Sequence, residues 1–182
     1  LDFEVKKPES ITLRGVKYDY IEPKDRIFQQ WVHFENQVSK GEFRPFCIFF
    51  VESGKEYAIK MQGTEQKRID IFSKKASEFV PYLNYIYEEA ESIRKAYSSI
   101  YSSKSIGTTG SNMKQHYANF GWDDIVLQLS KEQAFNGPEG TLMAVRKANM
   151  TDVLYYLNWS MSKSTAEYLD EEIRQRSQKK NR

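Results

Sequence analysis

Seven residues, Phe79, Leu83, Ile86, Ala90, Ile93, Tyr97 and Ile100, recur at intervals of 4, 3, 4, 3, 4 and 3. An α-helix turns once every 3.6 residues, so this spacing collects all seven on one face. The chain must therefore hold a long helix at about 79–101 with a continuous apolar seam, and something must cover that seam. Pro81 belongs in its first turn, where a missing N–H costs nothing. Glu88, Glu89, Glu91, Arg94 and Lys95 fall on the opposite side and predict a solvated face. Two covers fit. One is a sheet of the same chain, favoured because three heptads are short for an independent coiled coil. The other is a helix from another subunit or protein. That reading makes Phe79, Leu83, Ile86, Ile93 and Ile100 a helix-in-groove contact.

The residues before this helix read as a small sheet and a helix. Ile11, Leu13, Val16, Tyr18 and Tyr20 are strand material, and Arg14-Gly15 predicts a hairpin turn between ITL and VKYDYI. Pro23 is expected to open a helix with Ile27, Trp31, Phe34 and Val38 as its stripe, ending at Gly41. Phe46 to Val51 is a continuous apolar run of strand length, although periodicity leaves a short buried helix at 45–52 open. A turn at Ser53-Gly54-Lys55 follows, then alternation at Tyr57, Ile59 and Met61, and again at Ile69 and Ile71. The expectation for 43–72 is two or three strands.

After the long helix the composition changes. Residues 98–112 read SSIYSSKSIGTTGSN, a Ser/Thr/Gly-rich segment. We expect a flexible connection at 102–112 that divides an α+β half, 1–101, from a helical half, 113–173, with a basic tail at 174–182. The fold class expected is α+β: a small N-terminal antiparallel sheet with two helices, then an all-helical half. In that second half Ser111 predicts a cap for a helix running to Phe120. Asp123 predicts a cap for DIVLQLSKEQAF, which stops at Asn136-Gly137-Pro138. Thr141 caps LMAVRKA, and Asn149 with Asp152 caps VLYYLNW. Ser164 with Glu167 resembles a capping box that opens a further helix bearing Leu169 and Ile173. VLYYLNW has more large apolar residues than one face buries, which marks Tyr155, Tyr156 and Trp159 as exposed aromatic anchors.

Charge and composition exclude several classes of function. The 182 residues include 27 Lys plus Arg and 25 Asp plus Glu, a formal net charge of +2. The last ten residues, IRQRSQKKNR, hold five positive charges and no negative ones, so the rest carries 22 minus 25, or −3. A mildly acidic body with a basic tail is not the balance of a dedicated nucleic-acid binder. Even so, Lys67, Arg68, Lys74 and Lys75, together with Arg174, Arg176, Lys179, Lys180 and Arg182, form an alternative phosphate-contacting surface. The one cysteine, Cys47, lies in PFCIFF and is expected to be a buried, inert thiol. One cysteine and two histidines, His33 and His116, make a structural zinc site very poor. No P-loop, dinucleotide fingerprint, HExxH or CxxC occurs. A metal-dependent nuclease would need carboxylates near a lysine, and the nearest set is Glu52, Glu56 and Lys60, with Glu65 and Lys67. That reading requires Glu56 and Lys60 to share a strand face. We expect no catalytic residues, no metal and no cofactor. No apolar stretch is long enough for a membrane-spanning helix, and LDFEVKKPES lacks an apolar signal core, so the expected compartment is the cytosol or a virion. Asn149-Met150-Thr151 and Asn158-Trp159-Ser160 match the glycosylation pattern by chance.

The stretch from FGWDDIVLQLS through NMTDVLYYLNWSMSKSTAEYLDEEIRQ, with the opening PESITLRGVKYDYIEPKD, resembles small tail-assembly and virion-morphogenesis proteins of bacteriophages over about half the chain. The shared features are an LxYL-type helix, a Lys/Glu-rich helix leading into a basic tail, and a strand, Gly-turn and Tyr-rich strand at the start. The resemblance implies a non-enzymatic protein that binds another protein or itself. It carries no defined motif, and so assigns no residue a role. The expected partner is a protein or a second copy, with nucleic acid as the alternative and no membrane.

Overall fold

The computed structural model describes residues 5–41, 45–59, 76–101 and 121–180, with the side chains of 76–79 and 179–180 outside the description. Arg14 and Gly15 both take positive φ, 49° and 80°. That backbone makes a tight two-residue turn whose twist matches its strands. It joins β1 (Ser10–Leu13) to β2 (Val16–Tyr20), as the Arg14-Gly15 pair predicts. A third strand, β3 (Phe50–Glu52), completes an antiparallel sheet of order β1-β2-β3. Ile11 opposes Tyr18, Leu13 opposes Val16 and Tyr20 opposes Phe50. These cross-strand pairs build one apolar face, and the Tyr20 and Phe50 rings lie 5.4 Å apart.

The apolar run Phe46–Val51 is not one strand. Pro45–Phe49 winds into a 3-10 helix, and only Phe50 onward is extended. All five side chains of the turn are buried. A strand would send every second side chain to the far face of the sheet, whereas the coiled segment sinks them all into the core. The turn at Ser53-Gly54-Lys55 is present, with Gly54 at φ 77° and the Lys55 N–H donating to the Glu52 carbonyl at 2.9 Å. Tyr57 and Ile59 follow without strand structure. The alternation expected at Met61, Ile69 and Ile71 lies outside the described residues.

Pro23 opens a short 3-10 turn, Pro23–Asp25, rather than the main helix. Arg26 and Ile27 are extended and are drawn away to pair with the distant chain. The Phe28 N–H donates to Ala148 O and the Met150 N–H to Arg26 O, both at 2.8 Å. Helix α1 (Phe28–Ser39) therefore starts later than expected. Its first turn is closed by the Gln30 side-chain oxygen, which accepts from the Ile27 N–H at 3.1 Å. Trp31 and Phe34 of the expected stripe are fully buried, and Phe28 and Val32 broaden it. Gly41, at φ 65°, follows the helix end.

The long helix is α2 (Ala76–Ala96), followed after Tyr97 by the single turn α3 (Ser98–Tyr101). It begins three residues before Phe79, which places Pro81 in its second turn. The seam faces inward. Ile86 and Ala90 have no exposed surface, and Leu83, Ile93, Tyr97 and Ile100 pack on the same core as α1 and β2. The cover is the chain's own α+β core, which buries Ile86 fully and Leu83, Ile93 and Ile100 in part. The Phe79 side chain lies outside the described set.

The C-terminal half is mostly helical: α4 (Trp122–Lys131), α5 (Thr141–Lys147) and α6 (Met150–Lys180). Residues 102–112 and the helix expected from Ser111 to Phe120 lie outside the described residues. Asp123 sits in the first turn of α4, with Gly121 at the cap position. The helix stops at Lys131, short of Asn136, because Gln133 turns left-handed at φ 53°. Thr141 is likewise the first residue of α5 and not its cap. Asn149 does cap α6, its side-chain oxygen accepting the Thr151 N–H at 2.9 Å. Ser164 starts nothing new. It lies inside α6, since no Gly or Pro interrupts the sequence after Gly140. The fold is α+β. Among the described residues no helix is long and apolar enough to cross a membrane.

Candidate protein-binding surface

Polar side chains are brought together inside this core in two networks that sequence reading missed. Arg26 has no exposed side-chain surface. Its Nη2 donates to Tyr20 Oη at 2.6 Å and to Glu89, and its Nε donates to the Ile21 carbonyl at 2.9 Å. Its guanidinium lies 3.7 Å from the centroid of the Phe49 ring, a cation–π contact. Burial, with the Glu89 charge, raises the Tyr20 phenol, so it stays protonated and donates to Glu89 Oε1 at 2.8 Å. The second network joins α1 to α2. Arg94 grips both oxygens of Glu35, Nε to Oε1 and Nη2 to Oε2, each at 3.0 Å. Tyr101 Oη donates to Glu35 at 3.2 Å and accepts from Trp31 Nε1 at 2.9 Å. Burial opposes the Arg94 charge, but the hydrogen bonds and charge of Glu35, then of Glu91, outweigh it and hold the guanidinium above its ordinary value. Glu89 and Arg94 therefore leave the solvated face expected of them.

Each network pairs its charges largely out of water, Arg26 with no exposed side-chain surface and Arg94 with 19%, which ties elements together. The His33 ring is also structural. Its Nδ1 lies 2.6 Å from Tyr57 Oη. Burial lowers its pKa to about 4, with Arg146 adding to the fall and Asp123 opposing it. Burial raises Tyr57. The neutral ring and the protonated phenol share this hydrogen bond. Cys47 is buried, as expected of an inert thiol. Of the nuclease set, Glu52 pairs with Lys55 at 2.7 Å and Glu56 is exposed in a segment without strand structure, while Lys60, Glu65 and Lys67 lie outside the described residues. No group of three metal-ligating side chains occurs among the described residues. An open groove of about 350 Å³ beside α5 is lined by Phe135, Pro138, Met143 and Lys147, the last paired with Glu139 at 2.7 Å.

The unusual surface is on α6. Its first two turns bury Met150, Val153 and Leu154 completely. Tyr156 and Leu157 are partly buried against the core, and Tyr156 meets Phe135 edge-on at 5.9 Å. From Met161 to Gln178 every residue but Glu172 is exposed. At 1.5 Å per residue this is an arm about 27 Å long. Large apolar side chains lie in solvent along it and at its base: Tyr155 is 70% exposed, Trp159 53%, Leu169 50% and Ile173 61%. With Ser162 and Ala166 they fall at 155, 159, 162, 166, 169 and 173, intervals of 4, 3, 4, 3 and 4. This is a second heptad seam, uncovered. Met161 and Tyr168, also exposed, lie about a third of a turn to one side.

Of the expected anchors, Tyr155 and Trp159 are exposed and Tyr156 is turned towards the core. Of the alternative phosphate-contacting set, Arg174 and Arg176 are exposed; Arg174 lies 4.0 Å from Glu171, and Arg176 pairs with Glu172. Lys67, Arg68, Lys74, Lys75 and Arg182, and the side chains of Lys179 and Lys180, lie outside the described residues. Both glycosylation-pattern asparagines are engaged, Asn149 in its cap and Asn158 in accepting the Ser99 N–H at 3.1 Å. The second seam was legible in part: Leu169 and Ile173 mark one side of a helix, but an expected break at Ser164 hid their alignment with Tyr155 and Trp159. No family model, curated protein or solved structure matches this chain.

Proposed function

We propose that the protein is a non-enzymatic protein-binding or assembly module that works through the exposed arm of α6. The observation that supports this is the uncovered seam of Tyr155, Trp159, Leu169 and Ile173. A single helix of the arm's length is marginal in water without a packing partner. The same-helix pairs Lys163–Glu167, Glu171–Arg174 and Glu172–Arg176 each add only about 0.3–0.5 kcal/mol. Four large apolar side chains on one line are the pattern a partner helix reads. The resemblance to phage assembly proteins points the same way, towards binding of structural proteins in a cytosolic or virion setting.

A photo-reactive phenylalanine analogue at position 169 of the full chain, irradiated in extract of the source cell, tests this. A covalent adduct with protein is expected. An adduct with nucleic acid, or no adduct at all, overturns the reading.

A further inference from the structure

Resting on that reading of the α6 arm, we infer that its occupant is a second copy of the same arm, running antiparallel. The heptad spacing puts Tyr155, Trp159, Ser162, Ala166, Leu169, Ile173 and Arg176 along the contact line, with Lys163 and Asp170 on one flank and Thr165 and Glu172 on the other. The two possible directions of pairing are not equivalent. In a parallel pair each residue of the line meets itself. Arg176 then faces Arg176, Trp159 must fit against Trp159, and neither flank forms an opposite-charge pair.

An antiparallel pair centred between Ala166 and Leu169 resolves all three problems. Ala166 of one copy meets Leu169 of the other, and Ser162 meets Ile173, so a small residue faces a large one at each central layer. Trp159 meets Arg176, replacing a like-charge contact with a cation–π contact. On the flank Lys163 meets Asp170, and the two-fold axis makes that pair twice. Trp159 is already a cation acceptor in the single chain, with Lys163 Nζ 5.4 Å from its ring centroid. Both members of the flank pair are exposed. The small side chains of Ser162 and Ala166 at the centre let the helix backbones approach closely.

Cysteine pairing in the full chain separates the alternatives. Three variants are compared under mild oxidation on a non-reducing gel: Ser162→Cys, Ile173→Cys and the two together. Cys47 is fully buried and supplies the background, read from the unsubstituted chain. The two positions are eleven residues apart on one helix, about 16 Å, too far to bridge within a copy. Antiparallel pairing expects a linked dimer from the double variant and none from either single variant. A linked dimer from Ser162→Cys alone would show a parallel pair and overturn the inference, as would no linked dimer from the double variant. A charge exchange gives an independent readout: Lys163→Asp weakens association, and adding Asp170→Lys restores it. Failure to restore also counts against the pairing. If no dimer forms while position 169 still yields an adduct with a different protein, self-pairing falls and the binding function stands.

Discussion

Helices α2 and α6 carry the same 4-3 apolar spacing and meet opposite fates. The α2 seam is covered by the chain's own core, with Ile86 and Ala90 fully buried. The α6 seam runs off the body into solvent, with Ile173 61% exposed. Spacing alone fixes which residues share a face; it says nothing of what lies opposite. The difference is in the supporting polar groups. Beside its seam α2 places Glu89 on Arg26 and on Tyr20 of β2, and Arg94 on Glu35 of α1, ties that anchor it across the core. Along its outer half α6, among the described residues, forms ion pairs within itself. One seam packs inside the chain, and the other is exposed.

The sharpest way to break the comparison is to remove an anchor of α2. Glu35→Ala leaves the partly buried Arg94 guanidinium with Glu91 as its one acidic partner among the described residues and takes from the Tyr101 hydroxyl its carboxylate acceptor. Removing one member of a buried pair costs about 3–5 kcal/mol, and urea denaturation should show a loss of that size. The next largest effect is in the seam itself. Ile86→Ala should cost about 3 kcal/mol, through lost burial and the cavity left behind. Leu83→Asp should likewise destabilise the monomer, because that side chain packs on the core. A Leu83→Asp variant that folds with native stability would mean that the α2 seam is not covered as described.

Acid divides the two regions a third way. His33, in the body, has its folded pKa lowered to about 4 from an ordinary 6.5. Between those values the unfolded chain binds a proton that the folded chain refuses, so stability rises with pH across that window and is lost as pH falls through it. The expected loss from pH 7 to pH 4 is about 2 kcal/mol once solvent screening at this half-buried ring is allowed for. His33→Gln should flatten that part of the profile. A stability profile through this window that does not change with His33→Gln would place the titration elsewhere.

What could be read before the structure was local. The Arg14-Gly15 turn, the Trp31/Phe34 stripe, the Asn149 cap and the α2 seam each depend on residues a few positions apart. The ends of helices were harder, because Asp123, Thr141 and Ser164 are as acceptable inside a first turn or an exposed helix as at a cap. Ser164 misled most: no Gly or Pro follows Gly140, and that absence was the better sign of one long helix. The buried ion pairs were not legible. Arg26 and Glu89 stand 63 residues apart, and Glu35 and Arg94 59. Only Glu35 left a trace, as a charge beside Phe34 and one turn from Trp31 on the buried side of α1. The run PFCIFF was ambiguous in principle, since a segment buried on every side has no polar face to reveal its period.

The smallest stability effect is the most informative about function. Leu169→Asp places a charge in the middle of the exposed α6 seam, where the side chain touches no core residue. Measured at a dilution where the chain is monomeric, its unfolding free energy should stay within about 0.5 kcal/mol of the unsubstituted protein, as for other exposed substitutions away from special features. At high concentration the unsubstituted protein should gain thermal stability, because a partner that binds only the folded state raises the transition by mass action. Leu169→Asp should abolish that concentration dependence, since pairing would bury its carboxylate against Ala166 with no counter-charge on the contact line. Sedimentation across the same concentrations supplies the second reading. A large loss of monomer stability would make the arm part of the fold; retained association would move the contact away from this seam. An unchanged monomer that no longer associates leaves α2 and α6 as the same spacing put to two different uses.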